Sequence, residues 1–140
     1  MVTVRQILAP SKYYSVFREY NYVHIDLLNQ TADDSGIVYF FSIPSITSKN
    51  VYQVIIKIFN NNNNQKISIT NNCQCKCNCD SFKYQHMVSL YRHDGLYGDV
   101  PIINKLPRKS GIITGCKHTA LAVHELLLHY NNNLSYDKEY

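Results

Sequence analysis

The sequence predicts an α+β fold: a small antiparallel β-sheet, a β-hairpin that runs into a cysteine-rich segment, and a C-terminal helix that closes on that hairpin. Three observations predict it. Residues 36–59 are dominated by β-branched and aromatic side chains, which suit a pleated, buried surface. Four cysteines on alternate residues follow, at Cys73, Cys75, Cys77 and Cys79. Residues 118–130 then carry Ala120, Val123 and Leu127 on one stripe with Leu121 and Leu128 beside it, the spacing of a largely buried helix.

Taken in order, Val2–Leu8 reads as a first strand closed by Ala9-Pro10-Ser11. Tyr13–Leu28, rich in Tyr, Val, Phe and Ile and alternating at Val23, Ile25 and Leu27, also reads as strand. Gln30–Gly36 is a turn cluster, and Gly36–Ile43 a well-buried strand ended by Pro44. Val51–Phe59 alternates cleanly, the Asn60–Asn64 run is a polar hairpin loop, and Lys66–Thr70 returns with Ile67 and Ile69. A short helix is expected around Tyr84–Arg92. Gly95 to Gly111 is loop-like, punctuated by Gly98, Pro101 and Pro107.

A chain of 140 residues is one domain, or one with a small annex, long enough to bury about two-thirds of its unfolded surface. No apolar run approaches the roughly 18–20 residues needed to cross a bilayer, and Met1-Val2-Thr3-Val4-Arg5 lacks a charged-then-apolar leader. The expectation is a soluble, intracellular protein. The favoured residues Asn, Ile, Tyr and Lys have AT-rich codons, so this bias reflects the genome as much as the fold.

The five cysteines carry the chemistry. A disulfide framework is disfavoured, because bridges within Cys-x-Cys are strained and an odd count leaves one thiol over. Thiolates with an imidazole suit a tetrahedral zinc ion. Sulfurs at alternate strand positions stand about 6.5 Å apart, so four of them cannot share one ion from a straight strand. A bend can bring one neighbouring pair together, and Cys116-x-His118 is the obvious supplier of the other two ligands. Two residues apart on a helix lie about 200° from each other. Cys116 is therefore expected in the turn before the helix and His118 in its first turn, with Gly115 allowing close approach.

Cys77-x-Cys79-Asp80-Ser81-Phe82, followed by Cys116-Lys117-His118-Thr119-Ala120-Leu121-Ala122-Val123, resembles the SWIM-type zinc finger, whose pattern is C-x-C-x-x-F, a spacer, then C-x-H leading into an apolar helix. The resemblance implies a ββα fold around one structural zinc, with ligands Cys77, Cys79, Cys116 and His118 and with Phe82 packed beside them. Here 36 residues separate Cys79 from Cys116, a longer spacer than most members have. In that respect, and in Phe82-Lys83-Tyr84, Leu96-Tyr97-Gly98 and Gly115-Cys116-Lys117-His118, the chain is similar to small SWIM-like proteins of tailed bacteriophages. The similarity covers roughly residues 51–130. It divides the chain into an N-terminal β-rich region (1–50), a SWIM-like module (51–133) and a tail (134–140).

Cys73 and Cys75 are read as strand residues with free thiols, with a second metal or replacement of Cys77 as the alternative. His86 and His93 are read as partly exposed, and His124 and His129 as packing or surface residues too far along the helix to join the same ion.

Charge is concentrated in the cysteine-bearing segment. Residues 76–117 carry seven cations (Lys76, Lys83, Arg92, Lys105, Arg108, Lys109 and Lys117) against three acids, a surface for phosphate or an acidic partner. No phosphate loop, Gly-x-Ser-x-Gly or His-Glu-x-x-His is present, and three thiolates plus an imidazole fill a zinc ion's coordination. The expectation is therefore a non-enzymatic protein with neither small-molecule substrate nor membrane partner. It would be a phage virion component packed among other assembly proteins, in the particle or the host cytoplasm. The alternative is a nucleic-acid-binding or regulatory zinc finger.

Overall fold

In the computed structural model, which describes residues 1–60, 67–98 and 113–129, the chain enters through a two-residue strand, β1 (Val2–Thr3). It turns at once into a helix, α1 (Val4–Leu8). Thr3 causes the turn: its hydroxyl accepts from Gln6 N at 3.3 Å while Gln6 Oε1 accepts from Thr3 N at 2.9 Å, a reciprocal capping box. Ala9 closes α1 in a left-handed conformation (φ 40°), and Pro10 opens the next helix, α2 (Pro10–Glu19), at a position where its missing N–H costs nothing.

Of the predicted strand Val2–Leu8 only Val2–Thr3 is strand, and most of Tyr13–Leu28 is not. Tyr13, Phe17 and Tyr20 are buried at helical spacing, so tertiary burial outweighs the β-propensity of these side chains. Only the end of the second segment is strand, in β2 (Asp26–Ala32). Asp33 makes the turn that follows, its Oδ1 accepting from Ser35 N at 2.7 Å and Gly36 N at 3.1 Å. β3 (Gly36–Pro44) and β4 (Val51–Phe59) pair along their whole lengths. Gly36 is obligatory there, since a Cβ would stand 2.1 Å from Ile58 O.

The return strand is β5 (Asn72–Cys77), later than the predicted Lys66–Thr70. Ile69 and Thr70 form a turn instead, with Ser68 N donating to Asn71 Oδ1 at 2.8 Å. A π-helical turn (Phe82–His86) runs into α3 (Met87–Arg92), and α4 (Lys117–His129) ends the described chain. Residues 61–64 of the predicted Asn60–Asn64 loop, most of Gly95–Gly111 and the 134–140 tail lie outside the described residues.

The five strands form one antiparallel sheet in the order β1-β5-β4-β3-β2, drawing strands from both sides of residue 50. Register aligns Phe41, Val54 and Cys77 in one row and Tyr39, Ile56 and Cys75 in the next. All six are buried on the face that α4 covers, with α1 and α2 packed against α4. The other face carries Phe40, Ile55 and Lys76 in one row. The cysteines of β5 thus sit in the core, at the junction of sheet and helix. No described helix is long and apolar enough to cross a membrane.

Candidate metal centre

β5 sets Cys73, Cys75 and Cys77 on the covered face. A straight continuation would carry Cys79 about 6.5 Å beyond Cys77, but the strand bends first. Asn78 N donates to Gln53 O at 3.3 Å, and Gln53 N donates to the Asn78 side-chain oxygen at 3.0 Å. The side chain thus stands in for the next rung of the ladder. Cys79 then turns inward: its carbonyl accepts from Lys83 N at 3.2 Å and its Sγ from Phe82 N at 3.4 Å. An N–H aimed at sulfur favours the thiolate. Phe82 itself is fully buried.

The other half comes from the start of α4. Cys116 precedes the helix and His118 lies in its first turn. The Cys116 carbonyl accepts from Thr119 Oγ1 at 2.8 Å and Ala120 N at 3.1 Å. Gly115 has a specific reason to be glycine, because a Cβ would meet Thr119 Oγ1 at 2.2 Å. Tyr13 Oη donates to Gly115 O at 2.6 Å across the core, tying α2 to the backbone beside Cys116.

Cys77, Cys79, Cys116 and His118 are all buried, and one donor atom from each lies within 4.8 Å of the others. Cys77 Sγ is 3.8 Å and Cys116 Sγ 4.0 Å from His118 Nδ1. These separations are long for hydrogen bonds, but close to the edges of a tetrahedron with metal–sulfur bonds of about 2.3 Å and a metal–nitrogen bond of about 2.0 Å. His118 Nε2 is buried with no hydrogen-bond partner among the described residues, and the Tyr52 ring lies against the imidazole, centroids 4.3 Å apart. A ligand bond at Nδ1 would leave Nε2 as it is, so the fit to a metal rests on the Nδ1–sulfur separations and on the chemistry of the donors. The donor set fits a metal ion.

The electrostatics agree. Hydrogen bonds from Cys116 and then Cys77 hold the Cys79 thiol far below its usual range. Its bonding with Cys116 and Cys79 pushes the Cys77 thiol up, and burial pushes Cys116 up to about 11. Three sulfurs in one apolar site thus resist carrying more than one charge between them unless a cation joins them.

Cys73 and Cys75 are equally buried but stand apart from this group. Burial pushes Cys73 up to about 12 and Cys75 well above the ordinary thiol range, so both are neutral core side chains. His86, expected to be partly exposed, is buried against the Thr114 backbone, and burial lowers its pKa. His93 is exposed, with Nδ1 2.9 Å from Ser89 O. His124 stacks on Phe17 at 4.4 Å, and His129 is exposed at the end of α4. None of these histidines reaches the cluster.

Of the predicted contact residues, Lys83, Arg92 and Lys117 are exposed, while Lys76 is half-buried on the far face of the sheet. Lys105, Arg108 and Lys109 lie outside the described residues. Lys12 and Lys117 both line a cavity of about 630 Å³ beside the cluster, with Tyr52, Asn78 and Asp80 among its other walls. The sequence reading gave Asn78, Thr119, Tyr52 and Tyr13 no role at the site. Tyr13 carries no local signal at all, since its partner lies 102 residues away.

The chain matches no protein-family model, no curated protein and no solved structure.

Proposed function

We propose that this chain is a non-enzymatic structural protein of the SWIM type, in which one zinc ion clamps the end of β5 to the start of α4, and that it packs among the proteins of a bacteriophage particle. The observation that supports the zinc reading is the buried cluster of Cys77, Cys79, Cys116 and His118. Three soft thiolates and an imidazole select zinc over harder cations. Such a set occupies all four tetrahedral positions, so the ion supplies stability and leaves no place for a reacting water. The sequence similarities around Phe82, Leu96 and Gly115 support the particle reading.

Cobalt substitution tests the site. Reconstitution with Co²⁺ should give the intense visible absorption of tetrahedral thiolate coordination, lost in Cys79→Ser. Weak, octahedral-type absorption would count against the assignment. Mass spectrometry of purified particles tests the setting, where absence of the chain from every particle overturns it.

Nucleic-acid binding is a second reading, favoured by Lys12 and Lys117 opening on one cavity beside the cluster. Binding through phosphates should weaken steeply with salt and fall further in Lys12→Ala/Lys117→Ala. A gel shift that is absent at low salt excludes it.

A further inference from the structure

β2 is the outermost strand, and no described element pairs with its outer side. Which backbone groups face outward follows from the ladder. Asp33 N donates to Gly36 O at 2.9 Å, so alternation turns Thr31 and Asn29 toward β3 and leaves the N–H and C=O of Gln30 and Ala32 facing out. A bulge lies between Leu27 and Asn29. Beyond it Asp26 pairs with Ser42, which turns Leu27 outward as well.

Natural edge strands are usually blunted by lysines, prolines, short length or a bulge; here the bulge sits at the Leu27/Asn29 step, and Asn29–Ala32 beyond it pair without irregularity. β2 is seven residues long, and Leu27–Ala32 contains neither charge nor proline. All of its residues except Leu27 are exposed, Leu28 at 57%. Acids stand at its two ends: Asp26, 2.7 Å from His24 Nε2, at one, and in the turn at the other Asp33, 3.6 Å from Lys57 Nζ, with Asp34 beside it making no ion pair among the described residues.

That arrangement discriminates between occupants. Pairing two copies antiparallel through their uncharged centres would set the Asp26 end of one against the Asp33–Asp34 end of the other. Like charges placed opposite each other are destabilising. Carboxylates at both ends likewise repel nucleic acid. A strand with cations at its own ends meets them favourably.

We propose that β2 is a docking edge that accepts, as an added strand, an extended segment of another protein with an uncharged centre and Lys or Arg at both ends. Main-chain hydrogen bonds to Leu27, Gln30 and Ala32 would give affinity, and the terminal acids register and partner choice. This deepens the assembly reading by naming its surface. The two can fail separately: particle proteomics does not probe β2, and a peptide titration does not depend on a particle.

The test is an NMR titration of the ¹⁵N-labelled full chain with the peptide acetyl-Lys-Thr-Val-Thr-Val-Thr-Lys-amide. We expect saturable shifts of the Leu27, Gln30 and Ala32 amides, with a Kd on the order of 10–100 μM. The same peptide with Glu at both ends should bind at least about tenfold more weakly. Gln30→Pro removes an outward N–H and leaves the β2–β3 ladder intact, so it should abolish binding. If that variant fails to fold, Asp26→Asn/Asp34→Asn should weaken binding of the Lys-ended peptide several-fold. The proposal is overturned by no saturable shift up to about 1 mM, by equal binding of the Glu-ended peptide, or by dimerisation of the chain through β2.

Discussion

Cys77 Sγ and His118 Nδ1 lie 3.8 Å apart in the core although 41 positions separate them in the chain. One belongs to the last residue of a strand and the other to the first turn of a helix, so a bond from each to a common ion would tie the sheet to its covering layer. Removing either side should then cost far more than one contact. His118→Ala or Cys116→Ser should lose the metal and destabilise the fold by at least about 3 kcal/mol, since binding of a structural metal is coupled to folding. Metal content together with thermal melting checks this, and an unchanged melting temperature in either variant would contradict it.

Tyr13 supports the site from outside the cluster. Its hydroxyl donates to Gly115 O at 2.6 Å from a buried position, fixing the backbone that presents Cys116. Tyr13→Phe keeps the ring and removes the bond, leaving a buried carbonyl unpaired at a cost of about 1–3 kcal/mol. Metal affinity should fall about tenfold, as for other outer partners of a ligand, with the fold retained. Competition against a chelator measures it, and an affinity equal to the parent's would remove Tyr13 from the account.

Cys73 and Cys75 serve as the internal control. Cys73→Ala and Cys75→Ala delete buried sulfurs, so each should cost about 1 kcal/mol or more through the space left behind. Neither should change the number of metal ions bound. A lost equivalent in either variant would place that cysteine among the ligands.

These choices show where the sequence was legible. That one neighbouring pair of cysteines would join Cys116 and His118 could be anticipated, because alternate strand positions cannot surround one ion and a helix start can supply a Cys-x-His pair; that the pair is Cys77 and Cys79 followed only from the resemblance to the SWIM pattern. The β3–β4 pairing was equally plain from the runs of Val, Ile, Tyr and Phe. The amino-terminal helices were not. Val4–Leu8 and Pro10–Glu19 mix strand-favouring Val, Ile, Tyr and Phe with helix formers such as Arg5, Gln6, Leu8 and Lys12, and the signals that decide them are small. Thr3 and Gln6 form a capping box, Pro10 opens a helix, and Tyr13, Phe17 and Tyr20 recur at helical spacing. The bend at Asn78 was invisible for another reason: it depends on a side chain completing a ladder with Gln53, which only the paired strand reveals.

Alkaline pH gives a further test. Burial raises the Cys73 thiol from 9.0 to about 12. The folded chain therefore holds this proton where the unfolded chain has released it, and stability falls with rising pH across that interval. The contribution is intact below about pH 9 and lost as pH climbs through about 12. Cys73→Ala should flatten this part of the profile in chemical denaturation at several pH values. A slope identical to the parent's would show that Cys73 does not titrate in the fold as described.

The central claim is that one zinc ion joins Cys77, Cys79, Cys116 and His118. Elemental analysis of the protein purified without added metal tests it most directly. The account predicts one zinc per chain, retained in Cys73→Ala and Cys75→Ala and lost in Cys79→Ser and His118→Ala. Protein that folds with no bound metal, or that keeps its full zinc content without Cys79 or His118, would contradict it.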